Sequence, residues 1–254
     1  MIPERLKWTP ELVNRFWNGI AQTSLVQLNF AKQAGPSLLA AIKHLLSRQG
    51  QILDFGAGDG DLVRLLCEQG FQAAAYEPAE GRISALETSL SGIPGFLGVI
   101  GPQAKHLFDV VIMSEVIEHV LDEELDVTLN RLAEFTRPGG TLIITTPNNE
   151  NLEMGMIYCP VSNQLFHRWQ HVRSFNEETL PALLAQFGFE EIVTHRLGFD
   201  PAVLLPWDPD SMGPLGADGQ PLPIPDYITK LHNNEKATIG SESNLMYVGR
   251  RIDS

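Results

Sequence analysis

The stretch Ile52-Leu53-Asp54-Phe55-Gly56-Ala57-Gly58-Asp59-Gly60-Asp61 decides the fold. Two apolar residues ending in an acid read as the end of a buried parallel strand. Three glycines at alternate positions then form a tight turn, and Leu62-Val63-Arg64-Leu65-Leu66 opens a helix. Such a turn lets the backbone approach a nucleotide-like ligand, with the helix N-terminus aimed at it. Dinucleotide folds cradle a pyrophosphate with G-x-G-x-x-G, whereas the order here is D-x-G-x-G-x-G. An acid two residues before the first glycine repels a pyrophosphate and suits a ligand carrying an amino group and a sulfonium.

Outward from this turn, strand and helix signals alternate. The helix over 61–69 ends at Gly70, and Phe71-Gln72-Ala73-Ala74-Ala75-Tyr76 is a second buried strand that stops at Glu77-Pro78. An acid at that strand end, about twenty residues after the glycines, accepts hydrogen bonds from ribose hydroxyls in nucleoside-binding α/β folds. A helix over 81–90, a weak strand at 96–100, a fourth strand at 108–113, a helix over 123–135 and a fifth strand at 141–146 follow. That alternation gives a doubly wound parallel sheet. Its ligand belongs at the carboxyl ends of the strands, where Gly56, Glu77, Ser114 and Pro147-Asn148 fall. Upstream, Thr9-Pro10-Glu11 starts a helix to about Ala21, and a second helix is expected over 37–46.

Ser114-Glu115-Val116-Ile117-Glu118-His119-Val120 follows the fourth strand. A helical turn starting there places Glu115, Glu118 and His119 on one face. Two carboxylates and an imidazole form a candidate site for Mg²⁺, Mn²⁺ or a similar ion. Downstream, Cys159, Ser162, His167 and His171 stand one cysteine short of a zinc arrangement.

The D-x-G-x-G-x-G turn with Glu77 resembles motif I of the class I methyltransferases that use S-adenosylmethionine, and the resemblance covers roughly Gln51–Ile192. It implies an α/β, Rossmann-like, doubly wound seven-stranded sheet. The last strand, near 245–250, would insert antiparallel beside a sixth at 189–194. It also implies cofactor contacts from Asp54, Gly56, Ala57, Gly58, Gly60, Glu77, Pro78, Ser114 and Glu115. The Glu-x-x-Glu-His pattern with a later histidine is similar to two metal-using groups. These are the ubiquinone-biosynthesis O-methyltransferases, which methylate catechol-like hydroxyls, and the Hen-type RNA terminal 2′-O-methyltransferases. Carried over by position, the metal ligands are Glu115, Glu118, His119 and His171. Glu118 and His119 are also the catalytic candidates, with His119 as the base if no metal is present.

The whole chain narrows the choice. Its 254 residues, 43% hydrophobic, suffice for one elaborated domain. The expected division is a helical cap at 1–48, a cofactor-binding core at 49–196, an irregular lid-like connection at 197–243 and a final strand at 244–251. A net charge of −13 argues against long nucleic acid as a partner and hence against the Hen-type reading. Two distant cysteines suggest no disulfide framework. With no signal-peptide core and no long apolar run, the expectation is a cytoplasmic protein without a membrane partner. The expected activity is O-methylation of a small-molecule hydroxyl with S-adenosylmethionine, assisted by Mg²⁺ or Mn²⁺. A non-catalytic cofactor-binding protein on the same fold is the alternative from another class.

Overall fold

Gln51–Phe55 forms β2, an interior strand of an eight-stranded sheet. The computed structural model describes residues 2–252. Ahead of β2 come a short strand β1 (Glu4–Arg5) and helices α1 (Pro10–Ala21) and α2 (Phe30–Ile42). After it follow α3 (Asp61–Glu68), β3 (Gln72–Tyr76), α4 (Glu80–Leu90), β4 (Phe96–Val99), β5 (Phe108–Ser114), α5 (Asp122–Phe135) and β6 (Thr136–Pro147). The hairpin β7 (Met156–Cys159) and β8 (Gln164–His167) leads to α6 (Thr179–Ala185) and β9 (Phe189–Leu197). Short elements α7 (Pro201–Leu204), α8 (Asp226–His232) and β10 (Thr238–Ile239) precede β11 (Asn244–Arg251).

The strands lie in the order β10-β9-β11-β6-β5-β2-β3-β4. From β4 to β6 every pair is parallel, and β11 inserts antiparallel between β6 and β9. The seven expected strands are therefore present, with the two-residue β10 as an eighth on the edge. β1 joins the β7–β8 hairpin in a separate three-stranded sheet.

Because side chains alternate across a strand, neighbouring residues feed two cores. Ile52, Ala73, Val110, Ile112, Ile143 and Met246 face α2 and α3. Leu53, Ala74, Val111, Met113, Leu142 and Tyr247 face α5 and α6. A sheet covered on both faces explains the unbroken apolar runs of β5 and β6.

Two expectations change. The second helix begins at Phe30 rather than near Ser37 and carries Pro36 in its interior. Burial of Ala34, Gly35, Leu38, Leu39 and Ile42 against the α3 side of the core outweighs the hydrogen bond that the proline removes. The 197–243 connection is not loose throughout. Phe199, Leu204, Ile228, Leu231, Ala237 and Ile239 are core residues, and Lys43 ties in Asp208 at 3.0 Å and Asp210 at 2.9 Å. The stretch around 211–225 stays open, with Met212, Leu215 and Ile224 exposed. Helix α1 is the opposite case. It is capped by Thr9, whose hydroxyl accepts the Leu12 N–H at 3.4 Å, yet none of its residues is fully buried.

Candidate active site

The glycine turn has the backbone its sequence demands. Gly56, Gly58 and Gly60 all take positive φ, at 87°, 56° and 83°, which only glycine adopts without strain. A Cβ at Gly56 would meet Val116, and one at Gly60 would meet Leu86 and Leu90. Gly56 and Ala57 donate their N–H groups to the carbonyl of Tyr76, at 2.8 and 3.0 Å, joining the turn to the end of β3.

There Glu77 accepts from the Gly58 N–H and the Ala79 N–H, both at 2.9 Å. It is buried, and that burial raises its pKa. Pro78 follows in the exposed turn. Asp54, 4% exposed, is pushed up to about 7 by burial and by the charges of Glu77 and Asp61. Asp59, within the turn, receives Lys32 of α2 at 3.0 Å and Arg82 of α4 at 2.7 Å, and Lys32 also reaches Asp61 at 2.9 Å. The cap and α4 are thus pinned to the turn through one carboxylate.

The chain after β5 departs from the expected single helical face. Glu115 is held left-handed at φ 52°, and the only helical turn, of 3-10 type, spans Ile117–His119. Glu115 therefore falls outside the group of ligand atoms that Glu118, His119 and His171 form among the described residues. Its Oε1 accepts from Asn244 Nδ2 of β11 at 3.1 Å, and burial lifts its pKa to about 7. Ser114 Oγ meets Thr145 Oγ1 at 2.9 Å on the neighbouring strand.

Glu118, His119 and His171 do converge, with ligand atoms all within 4.8 Å of one another. Glu118, 1% exposed, accepts from Thr146 Oγ1 at 3.0 Å through Oε2. Its Oε1 and His119 Nδ1 are buried without a hydrogen-bond partner among the described residues. Burial and the charge of Glu115 raise the Glu118 pKa well above the carboxylate range. Burial and the neighbouring His171 pull that of His119 down to about 3.

Several residues here carry no motif in the sequence. Glu150, three residues past β6, lies beside two imidazoles: its Oε2 is 2.5 Å from His171 Nδ1 and its Oε1 is 3.4 Å from His167 Nε2. Gln170, fully buried, donates from Nε2 to the His119 carbonyl at 2.9 Å and accepts Trp17 Nε1–H of α1 at 3.0 Å. Rings run edge to face from Trp8 through Phe16, Trp17 and His119 to His171, at centroid spacings of 4.8–5.5 Å. One available signal was position, since Glu150 follows the carboxyl end of a central strand. Cys159 lies at the far end of the β7–β8 hairpin from His167 and belongs to neither ion-competent group among the described residues, so the zinc arrangement does not form.

Comparison with known proteins supports the geometry. A family model described as a methyltransferase domain matches residues 30–195, more than half of the chain. The ubiquinone biosynthesis O-methyltransferase of Rhizobium etli (strain CIAT 652) is 30% identical over 160 residues, 58% of this chain and 62% of that protein. The mitochondrial protein of that name from Homo sapiens is 29% identical over 154 residues, 54% of this chain and 41% of its own. The chain therefore spans less than two thirds of the length of these curated relatives. Among solved structures, the 1,6-didemethyltoxoflavin-N1-methyltransferase of Burkholderia thailandensis, with S-adenosylhomocysteine bound, superposes with a TM-score of 0.60 at 16% identity, covering 99% of this chain and 94% of that one. No helix among the described residues is long and apolar enough to cross a membrane. With its glycine turn, strand-end glutamate and inserted antiparallel strand, the chain belongs to the methyltransferase domain family and is a class I S-adenosylmethionine-dependent methyltransferase.

Proposed function

We propose that the enzyme methylates a hydroxyl of a small molecule, with a divalent cation of the Mg²⁺ or Mn²⁺ type held by Glu118, His119 and His171. The observation that carries this reading is Glu118 Oε1, buried and unpartnered among the described residues, beside two imidazoles. A buried carboxylate oxygen left without a donor is costly, and a cation relieves that cost. Two imidazoles and a carboxylate suit Mn²⁺ or a related ion. The low pKa of His119 keeps its imidazole neutral, as ligation requires, and makes it a weak base. The ligand role is therefore favoured over the base role.

Methyl transfer from a sulfonium is a direct displacement, so alignment is most of the protein's task. Glu77, which fixes the glycine turn, would hold the cofactor's ribose, and Asp54 would answer the charge of its amino group. Trp17 and Gln170 close the acceptor side by packing α1 against His119. When bound, the cation would lower the pKa of an acceptor hydroxyl. The O-methyltransferase names of the curated relatives support a hydroxyl acceptor over a nitrogen, and the net charge of −13 opposes an RNA acceptor.

The test is a methyl-acceptor screen with catechols and other small phenols, run with and without EDTA. Turnover should disappear on chelation, return with Mn²⁺, and be lost in Glu118→Gln while cofactor affinity is kept. Full activity after exhaustive chelation would end the cation reading. A protein that fails to bind S-adenosylmethionine in a calorimeter would leave the non-catalytic alternative ahead.

A further inference from the structure

Two groups of side chains in this region could each hold an ion, and they share His171: Glu118, His119 and His171, or Glu150, His167 and His171. The hydrogen bonds around the imidazoles decide between them. His167 Nδ1 accepts two backbone N–H groups, from His171 at 3.1 Å and from Trp169 at 3.4 Å. A backbone amide can only donate, so Nδ1 of His167 carries the lone pair and its proton resides on Nε2. A neutral imidazole protonated at Nε2, with Nδ1 engaged by the backbone, has no electron pair left for a metal. The ring is locked in this state by its setting, since it is 2% exposed and packs so closely on Gly155 that a Cβ there would collide with it.

His171 is oriented the opposite way. Its Nδ1 meets Glu150 Oε2 at 2.5 Å, and a carboxylate only accepts, so Nδ1 carries a proton, and in the neutral ring Nε2 keeps its lone pair. The rings of His167 and His171 stack at 4.4 Å, which leaves Glu150 as the one carboxylate spanning both.

We propose that Glu150 is a positioning residue which holds His171 in the Nδ1–H tautomer, aims its Nε2 at the Glu118–His119 pair, and leaves His167 a fixed bystander rather than a ligand. The inference builds on the reading of Glu118, His119 and His171 as ligands and adds the group that orients one of them. Carboxylates on the far nitrogen of a ligating histidine fix the tautomer and raise ligand basicity, and their loss lowers metal affinity about 10–100-fold.

The experiment uses the full chain with ¹⁵N-labelled histidine. Long-range proton–nitrogen correlation spectra report the tautomer of each ring in the apoprotein, and Mn²⁺ titration followed by electron paramagnetic resonance reports affinity. In the wild type, His171 should be Nδ1–H and His167 Nε2–H. Glu150→Ala should release His171 toward the Nε2–H form and weaken Mn²⁺ binding about 10–100-fold, with S-adenosylhomocysteine affinity unchanged. Glu150→Gln, which retains one acceptor oxygen, should keep His171 as Nδ1–H and lose less affinity. Glu118→Gln should weaken Mn²⁺ without altering either tautomer. An Nε2–H signal for His171 in the wild type, or an unaltered tautomer and unaltered Mn²⁺ affinity in folded Glu150→Ala, would overturn the assignment. If the alanine variant does not fold, the wild-type spectra decide alone. Wild-type protein that shows both tautomers as assigned yet binds no Mn²⁺ would sink the cation reading and uphold the role of Glu150 in orienting His171.

Discussion

Asp54→Asn should make the protein more stable at alkaline pH while weakening its hold on the cofactor. Asp54 is 4% exposed, and its pKa stands at about 7 because it is buried beside Glu77 and Asp61. For an acid whose folded pKa lies above its unfolded value of 3.8, the charged form is the one the fold disfavours. Stability is then full below about pH 4 and is lost as pH rises through 7. The shift is about three units, worth on the order of 4 kcal/mol when fully expressed. Between pH 5 and pH 8 the wild type should lose roughly 2–3 kcal/mol through this residue. Other groups titrate in the same window, so the informative quantity is the difference between variant and wild type, measured by urea unfolding at both pH values. The gap should open in favour of Asp54→Asn by that amount from pH 5 to pH 8, and cofactor affinity should fall at least tenfold by calorimetry. A difference that does not change between pH 5 and pH 8 would refute the reasoning.

Glu77→Ala removes the acceptor of two backbone amides as well as the proposed ribose contact. It should therefore lower stability by about 1–3 kcal/mol per stranded amide at most and reduce cofactor affinity at least tenfold, checked by denaturation and titration of the folded fraction. Amide exchange in α1 should be fast in the free protein, since none of its residues is buried, and slow when cofactor and acceptor bind. The core-packed ends of the 197–243 connection should be protected throughout, and only 211–225 should exchange rapidly. Slow exchange over 10–21 before any ligand is added would count against a mobile α1.

The sheet was legible because burial on both faces forces apolar runs, and glycine and acid punctuation marks each strand's end. The glycine turn through Gly56, Gly58 and Gly60 was legible for the same reason: it is local, and its backbone demands are visible within a few positions. Glu118, His119 and His171 lie together, the first two expected from their spacing and the third only from the resemblance. The single helical face expected for Glu115, Glu118 and His119 does not form, because the left-handed backbone of Glu115 and its bond to Asn244, far along the chain, leave no trace in helical spacing. Glu150, Gln170 and Trp17 were invisible for a related reason. Each is a single polar or aromatic residue whose role exists only once α1, β6 and the β8 region are packed together. The lid expectation for 197–243 rested on proline and glycine content, which does not report that Phe199, Ile228 and Leu231 reach the core.

The late arrival of β11 has a consequence for synthesis of the protein. This strand supplies the antiparallel neighbour of both β6 and β9, and its Asn244 is what holds Glu115. At a translation rate of about 5–20 residues per second, roughly 5–20 s separate the emergence of β6 from that of β11. During that interval Leu142, Ile143 and Ile144 lie along an open sheet edge, the kind of surface that templates pairing with another chain. The nascent enzyme is thus most exposed to aggregation just before its last strand enters the gap. A ribosome stalled after residue 243 would hold the glycine turn already shaped beside a sheet still lacking its central antiparallel strand.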